Sequence, residues 1–246
     1  MNIEIKLWKI SNNQISPVED SSLAVERLED DLENWIVQSP DVLGEDLLII
    51  GRQHSIDGVG RLDLLAINSN GELVVVELKR DLAPREAVAQ ALDYASWLDM
   101  TSEEEIVEIA KGYLKGSLVD AFTEHFGVSE MPVITPQNHR ILLVASRLDA
   151  SAERIINYLA QRYAVNMNAV YFRYAKLLPS GAEILARSVL VAESTIQQGK
   201  SARRKTTSVS ELISAAEENK ITKMVESFRS LALPPDEYMW ELAEHT

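Results

Sequence analysis

Residues 60–80 read GRLDLLAINSNGELVVVELKR, two apolar segments separated by the polar run NSNG. Side chains alternate between the two faces of a strand, and these segments are apolar on both faces over most of their length. The pattern predicts β-strands at 61–67 and 72–79 that the rest of the protein covers on both sides. Asn70–Gly71 predicts the turn of a β-hairpin, because glycine readily adopts the left-handed backbone that such turns need.

Alternation also assigns each residue of the two strands to a face, and it groups the charged residues at one end. In the first strand, one face is predicted to carry Leu62, Leu64 and Ala66, and the opposite face Asp63, Leu65 and Ile67. In the second strand, one face is predicted to carry Val74, Val76 and Leu78, and the opposite face Leu73, Val75, Glu77 and Lys79. The charged side chains are therefore expected at the end of a partly buried face.

The length of the turn sets the register of the hairpin. If Asn68 pairs with Glu72, Asp63 lies directly opposite Glu77 on the same face, with Cβ atoms about 5 Å apart. Two carboxylates in this position repel each other, and burial raises the cost. Lys79 offsets part of the charge, and a divalent cation would offset the rest. Oxygen ligands with open positions suit Mg²⁺ or Mn²⁺. The alternative is a surface ion pair that contributes little.

The surrounding sequence alternates between strand and helix patterns, which predicts an α/β fold around a central mixed sheet. Further strands are predicted at 3–10, 14–18, 47–53, 140–145, 169–174 and 183–189. Helices are predicted from residue 23 to Ser39–Pro40, from Pro84 through Leu98, over 102–126 as one or two helices, and over 150–162. Residues 54–60 are predicted to be a loop, and Ser102 with Glu105 forms a capping-box pattern.

Composition limits the class of protein. The 246 residues include 46% hydrophobic and 25% charged residues, which excludes a wholly disordered chain. No cysteine is present, so disulfides and thiolate chemistry are excluded, and a cytoplasmic location is expected. Neither a membrane span nor a signal peptide is recognisable. The net charge of −14 argues against a general nucleic-acid coat protein, although it leaves room for a local metal-assisted contact with a nucleic acid.

Charge is unevenly distributed towards the C-terminal end. Residues 199–207 carry four basic residues and no acidic one. Residues 1–195 are therefore predicted to form the α/β domain, with strands in its first 20 residues. Residues 196–208 are predicted to be a basic linker, and residues 209–246 a small helical appendage.

Several of these segments together resemble the PD-(D/E)XK nuclease superfamily. The residues that carry the resemblance are GRLDLLA at 60–66, the Asn70–Gly71 turn, LVVVELKR at 73–80, and Gln90 with Tyr94 in a Q-x-x-x-Y pattern. LEDDLENWI at 28–36, PDVLGEDL at 40–47 and IGRQ at 50–53 resemble the leading helix and first strand of NucS-like endonucleases. The resemblance is good over about residues 22–100. Leu62 stands where the superfamily name has proline, as is ordinary in NucS-like members.

The resemblance implies a restriction-endonuclease-like core and a role for each motif residue. Asp63 and Glu77 would be the metal ligands, with Mg²⁺ or Mn²⁺ as the cofactor. Lys79 would orient or help to deprotonate the attacking water. Glu29 would be the helix carboxylate near the metal, and Glu33, one turn later, is the competing choice.

Other residues are candidates for positioning the site or binding substrate. Gln90 would help to position the site or a phosphate. Arg52 and Arg61 flank the site and could steady a phosphate, or could equally be ion-pair partners of nearby acids. Tyr94 is either a substrate contact or a core residue. The predicted linker adds Lys200, Arg203 and Arg204, which could bind a phosphate backbone or keep the linker soluble.

The resulting functional hypothesis is a Mg²⁺-dependent DNA endonuclease that acts in repair or in defence against foreign DNA. The alternative is a catalytically silent nuclease fold that binds nucleic acid or protein. The motifs leave RNA open as a substrate. A homodimer or an unknown protein partner is a further possibility, since cutting both strands with one site per chain would make two chains useful. No membrane contact is expected.

Overall fold

A computed structural model describes residues 8–11, 14–18, 29–177 and 182–191. Its strands are β1 (Trp8–Ser11), β2 (Gln14–Pro17), β3 (Leu47–Ile56), β4 (Gly60–Asn68), β5 (Leu73–Ala83), β6 (His139–Leu148), β7 (Met167–Leu177) and β8 (Ala182–Val189). Its α-helices are α1 (Glu29–Gln38), α2 (Arg85–Met100), α3 (Glu103–Leu114), α4 (Leu118–Phe126) and α5 (Ala150–Tyr163), and a 3₁₀ helix covers Pro40–Leu43. The predicted order of strands and helices is confirmed.

The central sheet has six strands in the order β3-β4-β5-β6-β7-β8. The β3, β4 and β5 strands form an antiparallel meander, β5, β6 and β7 are parallel, and β8 returns antiparallel to β7. Each parallel connection crosses through helices, as parallel neighbours require. The predicted mixed sheet flanked by helices is therefore confirmed. Separately, β1 and β2 pair as an antiparallel hairpin, in agreement with the strands predicted near the N-terminus.

The register of the β4–β5 hairpin follows from its turn. The backbone N–H of Asn68 donates to the carbonyl of Glu72 at 3.1 Å, which makes these two residues the last pair before the turn. The strand pairs that follow run from Ile67 with Leu73 to Leu64 with Val76. This is the register predicted from the sequence.

The β3 strand continues beyond its predicted end. Residues 54–56, expected in a loop, pair with β4, with His54 opposite Leu62 and Ile56 opposite Gly60. Hydrogen bonds to β4 stabilise this extension of β3, and the strand propensity of the β3 residues alone does not include them. The β5 strand is also longer than predicted and reaches Ala83.

Apolar side chains fill both sides of the sheet. One cluster lies against α1 and includes Leu32, Ile36, Leu64, Ala66, Val74, Val76, Leu78, Val144 and Phe172. On the other side, α2, α3 and α4 bury Leu62, Leu65, Ile67, Leu73, Val75, Tyr94, Leu98, Ile106 and Phe122. A third cluster lies under α2 and α5 and includes Ala83, Ala91, Leu143, Ala145 and Ile156. The strands are thus covered on both faces, as the sequence predicts.

One predicted face is wrong. Leu62 packs with Leu65 and Ile67, whereas Leu64 and Ala66 pack against α1. Leu62 still pairs with His54 of β3, but regular pairing between β4 and β5 ends at Leu64, so β5 does not hold Leu62 in the alternation of the β4–β5 ladder.

The helix boundaries reflect local capping. The capping box predicted at the start of α3 is present: the Ser102 hydroxyl accepts from the Glu105 N–H at 3.3 Å, and the Glu105 carboxylate accepts from the Ser102 N–H at 2.9 Å. The predicted linker at 196–208 and helical appendage at 209–246 lie outside the described residues. Within the described part of the chain, no helix has the length and apolarity that crossing a membrane would require.

Candidate active site

The carboxylates of Asp63 and Glu77 lie where the β4–β5 hairpin opens. The paired ladder ends at Leu64 and Val76, one residue before them. Beyond this pair, a side chain replaces the backbone acceptor: Asp63 Oδ2 accepts a hydrogen bond from the Leu78 backbone N–H at 2.8 Å. A side chain that replaces a ladder bond fixes Asp63 beside β5, as expected for a residue held by the sheet itself.

Glu77 is fully buried, with 0% of its surface exposed. The Lys79 ammonium donates to Glu77 Oε1, and Lys79 keeps 29% of its side chain exposed. In the described part of the chain, Glu77 Oε2 has no hydrogen-bond partner. Burial, together with the neighbouring Asp63 charge, raises the pKa of Glu77 to about 7, although Lys79 acts in the opposite direction.

This arrangement fits a divalent cation. A buried carboxylate oxygen without a donor, beside a second carboxylate, is an electrostatic deficit that a cation would neutralise. The donor atoms are hard oxygens, which suit Mg²⁺ or Mn²⁺. Across the described residues, no group of three or more His, Cys, Asp or Glu side chains is positioned to hold an ion. Mg²⁺ commonly keeps several waters and takes only one or two protein carboxylates, so a pair is a sufficient protein contribution.

A third carboxylate approaches the site from α1. Glu33 is 3% exposed, and its Oε1 accepts from Arg52 Nε at 2.5 Å. Its Oε2 accepts from the side-chain amide of Gln53. Arg52 also donates to Asn34 Oδ1 at 2.8 Å, so its guanidinium contacts two side chains of α1. Glu33, the competing choice of the sequence analysis, is therefore tied into the site.

The assignment of Glu29 stays a prediction. Glu29 is the first residue of α1, but its side chain lies outside the described part of the structure. The 3.6-residue period of the helix puts Glu29 and Glu33 on similar sides, and the sequence does not separate them.

Gln53 is a site residue that the sequence analysis did not identify. It lies opposite Asp63, between the pairs Arg52–Leu64 and His54–Leu62, and its Nε2 donates to Asp63 Oδ1 at 3.2 Å. The signal that could have found it is the register of β3 with β4. The expectation of a loop at residues 54–60 excludes that register, because it ends β3 at Gln53.

Gln90 and Tyr94 brace β4 from α2. Gln90 Nε2 donates to the Tyr94 hydroxyl at 2.8 Å, and the hydroxyl donates to the Arg61 carbonyl at 2.8 Å. Gly60 permits this approach, because a Cβ there would come within 3.2 Å of the Tyr94 hydroxyl and its φ is +148°. Tyr94 is 0% exposed, which corrects its assignment as a substrate contact: the core alternative holds. Gln90 is thus linked to the backbone of β4 through Tyr94.

The basic candidates separate into three groups. Arg52 forms the ion pair with Glu33, which is the alternative reading of its role. Arg61 is exposed next to Asp63, a placement compatible with a phosphate contact. The remaining candidates, Lys200, Arg203 and Arg204, lie outside the described residues.

Comparison with known proteins places this site within a known type of domain. The six-stranded mixed sheet has helices on both faces and a carboxylate pair at an open hairpin, as the restriction-endonuclease-like α/β fold expected from the sequence would have. Residues 28–121 match the family described as the endonuclease NucS C-terminal domain. The NucS-like resemblance predicted from residues 22–100 is thereby confirmed, and the matched segment contains every site residue placed above.

Solved structures that this chain matches include a repair endonuclease from Pyrococcus abyssi, at 25% identity and a TM-score of 0.35, covering 63% of this chain and 53% of that one. A complex of EndoMS with double-stranded DNA aligns at 23% identity and a TM-score of 0.36, covering 64% of this chain and 50% of that one. NucC from P. aeruginosa, bound to cAAA, aligns at 14% identity and a TM-score of 0.33, covering 73% of this chain and 85% of that one. The matches to the first two proteins span about half of their length.

Proposed function

We propose that this protein is a metal-dependent endonuclease that hydrolyses phosphodiester bonds in DNA, with Mg²⁺ or Mn²⁺ as its cofactor. The observation that carries the proposal is the Asp63–Glu77 pair, in which Glu77 is buried, its Oε2 has no hydrogen-bond partner among the described residues, and Lys79 donates to its Oε1. The match of residues 28–121 to the endonuclease NucS C-terminal domain supports it independently of this geometry.

The roles of the residues follow from the chemistry of phosphodiester hydrolysis. A bound divalent cation lowers the pKa of water, screens the anionic phosphate and stabilises the leaving oxygen. Asp63 and Glu77 would hold the cation. Lys79, partly exposed beside Glu77, would orient the attacking water and offset phosphate charge. Arg61, exposed next to Asp63, would steady a phosphate.

Glu33 is the helix carboxylate that we propose for the site, in preference to Glu29. The support for this choice is that its carboxylate shares the Gln53 amide with Asp63, one of the two proposed metal ligands. Positioning and electrostatics account for most of the catalysis in such a site, and no Ser, His or Cys nucleophile is needed.

We propose DNA repair or defence against foreign DNA as the setting, in the cytoplasm, with a homodimer or a protein partner as the assembly. A second candidate function is a nuclease fold that binds DNA or protein without cutting. The net charge of −14 favours this alternative, because a nuclease that contacts a long stretch of DNA normally presents a basic surface.

A cleavage assay separates the two functions. The full chain is incubated with single-stranded, duplex, mismatched and flapped DNA, with EDTA, Mg²⁺ or Mn²⁺, beside Glu77→Ala. Metal-dependent cutting that is lost in Glu77→Ala supports the endonuclease and begins to define its substrate. A folded protein that neither cuts nor binds any of these DNAs contradicts the DNA-nuclease proposal. Binding without cutting, unaffected by Glu77→Ala, favours the silent module.

A further inference from the structure

Gln53 has a backbone conformation that its side chain disfavours. Its φ is +49°, and it lies inside β3. The other described non-glycine residues with positive φ are Lys115 and Ala164, and each caps the C-terminal end of a helix, where the left-handed conformation is common. A left-handed residue within a strand persists only when its surroundings hold it there, and such strain is concentrated at functional sites.

The unusual backbone places the Gln53 amide between two carboxylates from different elements. Nε2 donates to Glu33 Oε2 on α1 and, at 3.2 Å, to Asp63 Oδ1 on β4. Since a carboxamide nitrogen has two hydrogens, one group satisfies both acceptors. This amide therefore links the helix carboxylate of Glu33 to Asp63.

Glutamine has the charge and length that this position requires. Glu33 and Asp63 are like charges that repel, and a donor between them reduces that repulsion. A basic side chain would compete with a cation for the carboxylates, whereas an acidic one would add a third negative charge. A neutral donor holds both carboxylates and leaves their charge available for a metal ion.

We propose that Gln53 is a positioning residue of the nuclease site, which fixes Glu33 and Asp63 relative to each other and so prepares the site for its metal ion. The inference rests on the proposed function and goes beyond it by assigning a role to a residue outside the carboxylate–lysine motif. Groups that orient metal ligands in this way typically change metal affinity or activity by about 10- to 100-fold when removed.

Two substitutions of Gln53 separate the effect of losing the side-chain amide from the effect of relieving the backbone strain. Both Gln53→Gly and Gln53→Ala remove the amide, but glycine relaxes at positive φ and alanine does not. Mn²⁺ affinity of the full chain is measured by titration calorimetry at 20 °C, DNA cutting is measured in Mn²⁺, and the melting temperature is measured in EDTA. We expect both variants to lose affinity and cutting by about 10- to 100-fold and to a similar extent, while Gln53→Gly melts at the higher temperature.

Lys115→Gly is the matched control. Lys115 has φ +58° at the end of α3, so glycine there relieves the same kind of backbone conformation away from the site. We expect Lys115→Gly to raise the melting temperature and to leave Mn²⁺ affinity and cutting unchanged.

The possible outcomes distinguish the two proposals. Wild-type protein that binds Mn²⁺ and cuts DNA, together with a Gln53→Gly variant that does both equally well, overturns the role of Gln53 alone. The role of Gln53 is also overturned if the losses of Mn²⁺ affinity and cutting are large in Gln53→Ala and absent in Gln53→Gly. Such losses would follow the melting temperature and would identify a purely structural effect. Wild-type protein that neither binds Mn²⁺ nor cuts DNA overturns the proposed function and this inference with it.

Discussion

The two ends of the β4–β5 hairpin use the same residue types in opposite ways. At the closed end, which comprises Asn68–Leu73, Glu72 accepts from Asn166 Nδ2 at 2.8 Å and from Asn68 Nδ2 at 3.2 Å. Asn68 Oδ1 in turn accepts from the backbone of Asn70 and Glu72. At the open end, which comprises Asp63 and Glu77–Lys79, Glu77 Oε2 is buried and has no hydrogen-bond partner within the part of the chain that the structure describes. Glu72 directly precedes β5 and Glu77 lies within it, so local hydrogen bonding, rather than residue type, distinguishes the two carboxylates.

The largest expected effect is on DNA cutting, and it comes from removing one carboxylate charge at the open end of the hairpin, compared with removing one at the closed end. Asp63→Asn keeps the shape of the side chain but removes a proposed metal ligand, and we expect cutting in Mg²⁺ to fall by roughly 10³-fold, about 4 kcal/mol in transition-state stabilisation. Glu72→Gln is the matched change at the closed end and should alter cutting by less than about twofold. The measurement is the initial rate on the best DNA substrate. Equal losses in the two variants would show that the ends do not differ in function.

A pH effect on stability is expected from the open end. The pKa of Glu77 is raised from 4.5 in the unfolded chain to about 7 in the folded protein. Between these values the folded state binds more protons than the unfolded state, so the free energy of unfolding falls as pH rises from about 4.5 to about 7. Across this pH range, the contribution of Glu77 lowers the free energy of unfolding by about 3 kcal/mol.

Thermal or urea unfolding in EDTA between pH 4.5 and 8 measures this effect in wild-type protein and in Glu77→Gln. We expect Glu77→Gln to lose the part of the pH dependence that the carboxyl contributes and to be more stable than wild-type protein at pH 8. The closed-end variant Glu72→Gln should keep the wild-type pH profile. A Glu77→Gln profile parallel to wild type would contradict the raised pKa.

At the closed end the sensitive residue is Gly71. Its φ is +78°, and a Cβ there would lie 3.0 Å from Pro132 Cγ and 3.2 Å from the Val133 carbonyl oxygen. We expect Gly71→Ala to lower the free energy of unfolding by about 2 kcal/mol, because it combines left-handed strain with a backbone contact. Urea unfolding gives this value. Mn²⁺ affinity at low temperature should be unchanged, and a large loss would mean that the turn influences the distant carboxylates.

The smallest expected effect concerns the brace on β4. Tyr94→Phe removes the hydroxyl that donates to the Arg61 carbonyl and accepts from Gln90. We expect a loss of about 1 kcal/mol in the free energy of unfolding, as is typical for a hydrogen bond. A similar loss in Gln90→Ala, without further loss in the double variant, would show that the two residues act as one unit. Additive losses would contradict that arrangement.

Much of this hairpin could be predicted from local sequence, because the turn alone sets the register that brings Asp63 opposite Glu77. The burial of both faces also follows from the apolar runs. Gln53 could not be predicted in the same way, since its role depends on the pairing of β3 with β4 and on a backbone conformation that glutamine does not favour. The choice between Glu29 and Glu33 depends on how α1 lies on the sheet, which the helical period alone does not determine.

Tyr94 illustrates the opposite case, in which the sequence left two alternatives, a substrate contact or a core residue, and packing distinguishes them. Its ring is fully buried in the cluster that α2, α3 and α4 cover, and the close approach of Gly60 lets its hydroxyl donate to the backbone of β4. A sequence motif identifies both residues of the Q-x-x-x-Y pattern, but only their contacts show that they hold the backbone of β4 from within the core.

The antiparallel meander β3-β4-β5 also has a consequence for the order of folding. Its contacts are local in sequence, whereas the β5–β6 pairing must close a connection that includes α2, α3 and α4. Because local pairings generally form sooner than those separated by long loops, we expect the meander to form before the parallel half of the sheet. Pulse-labelling amide exchange during refolding would detect this as earlier protection of Leu65 than of Leu143. Asp63 and Glu77 would then meet while water still solvates both charges, and their desolvation would be deferred until the helices close over the sheet.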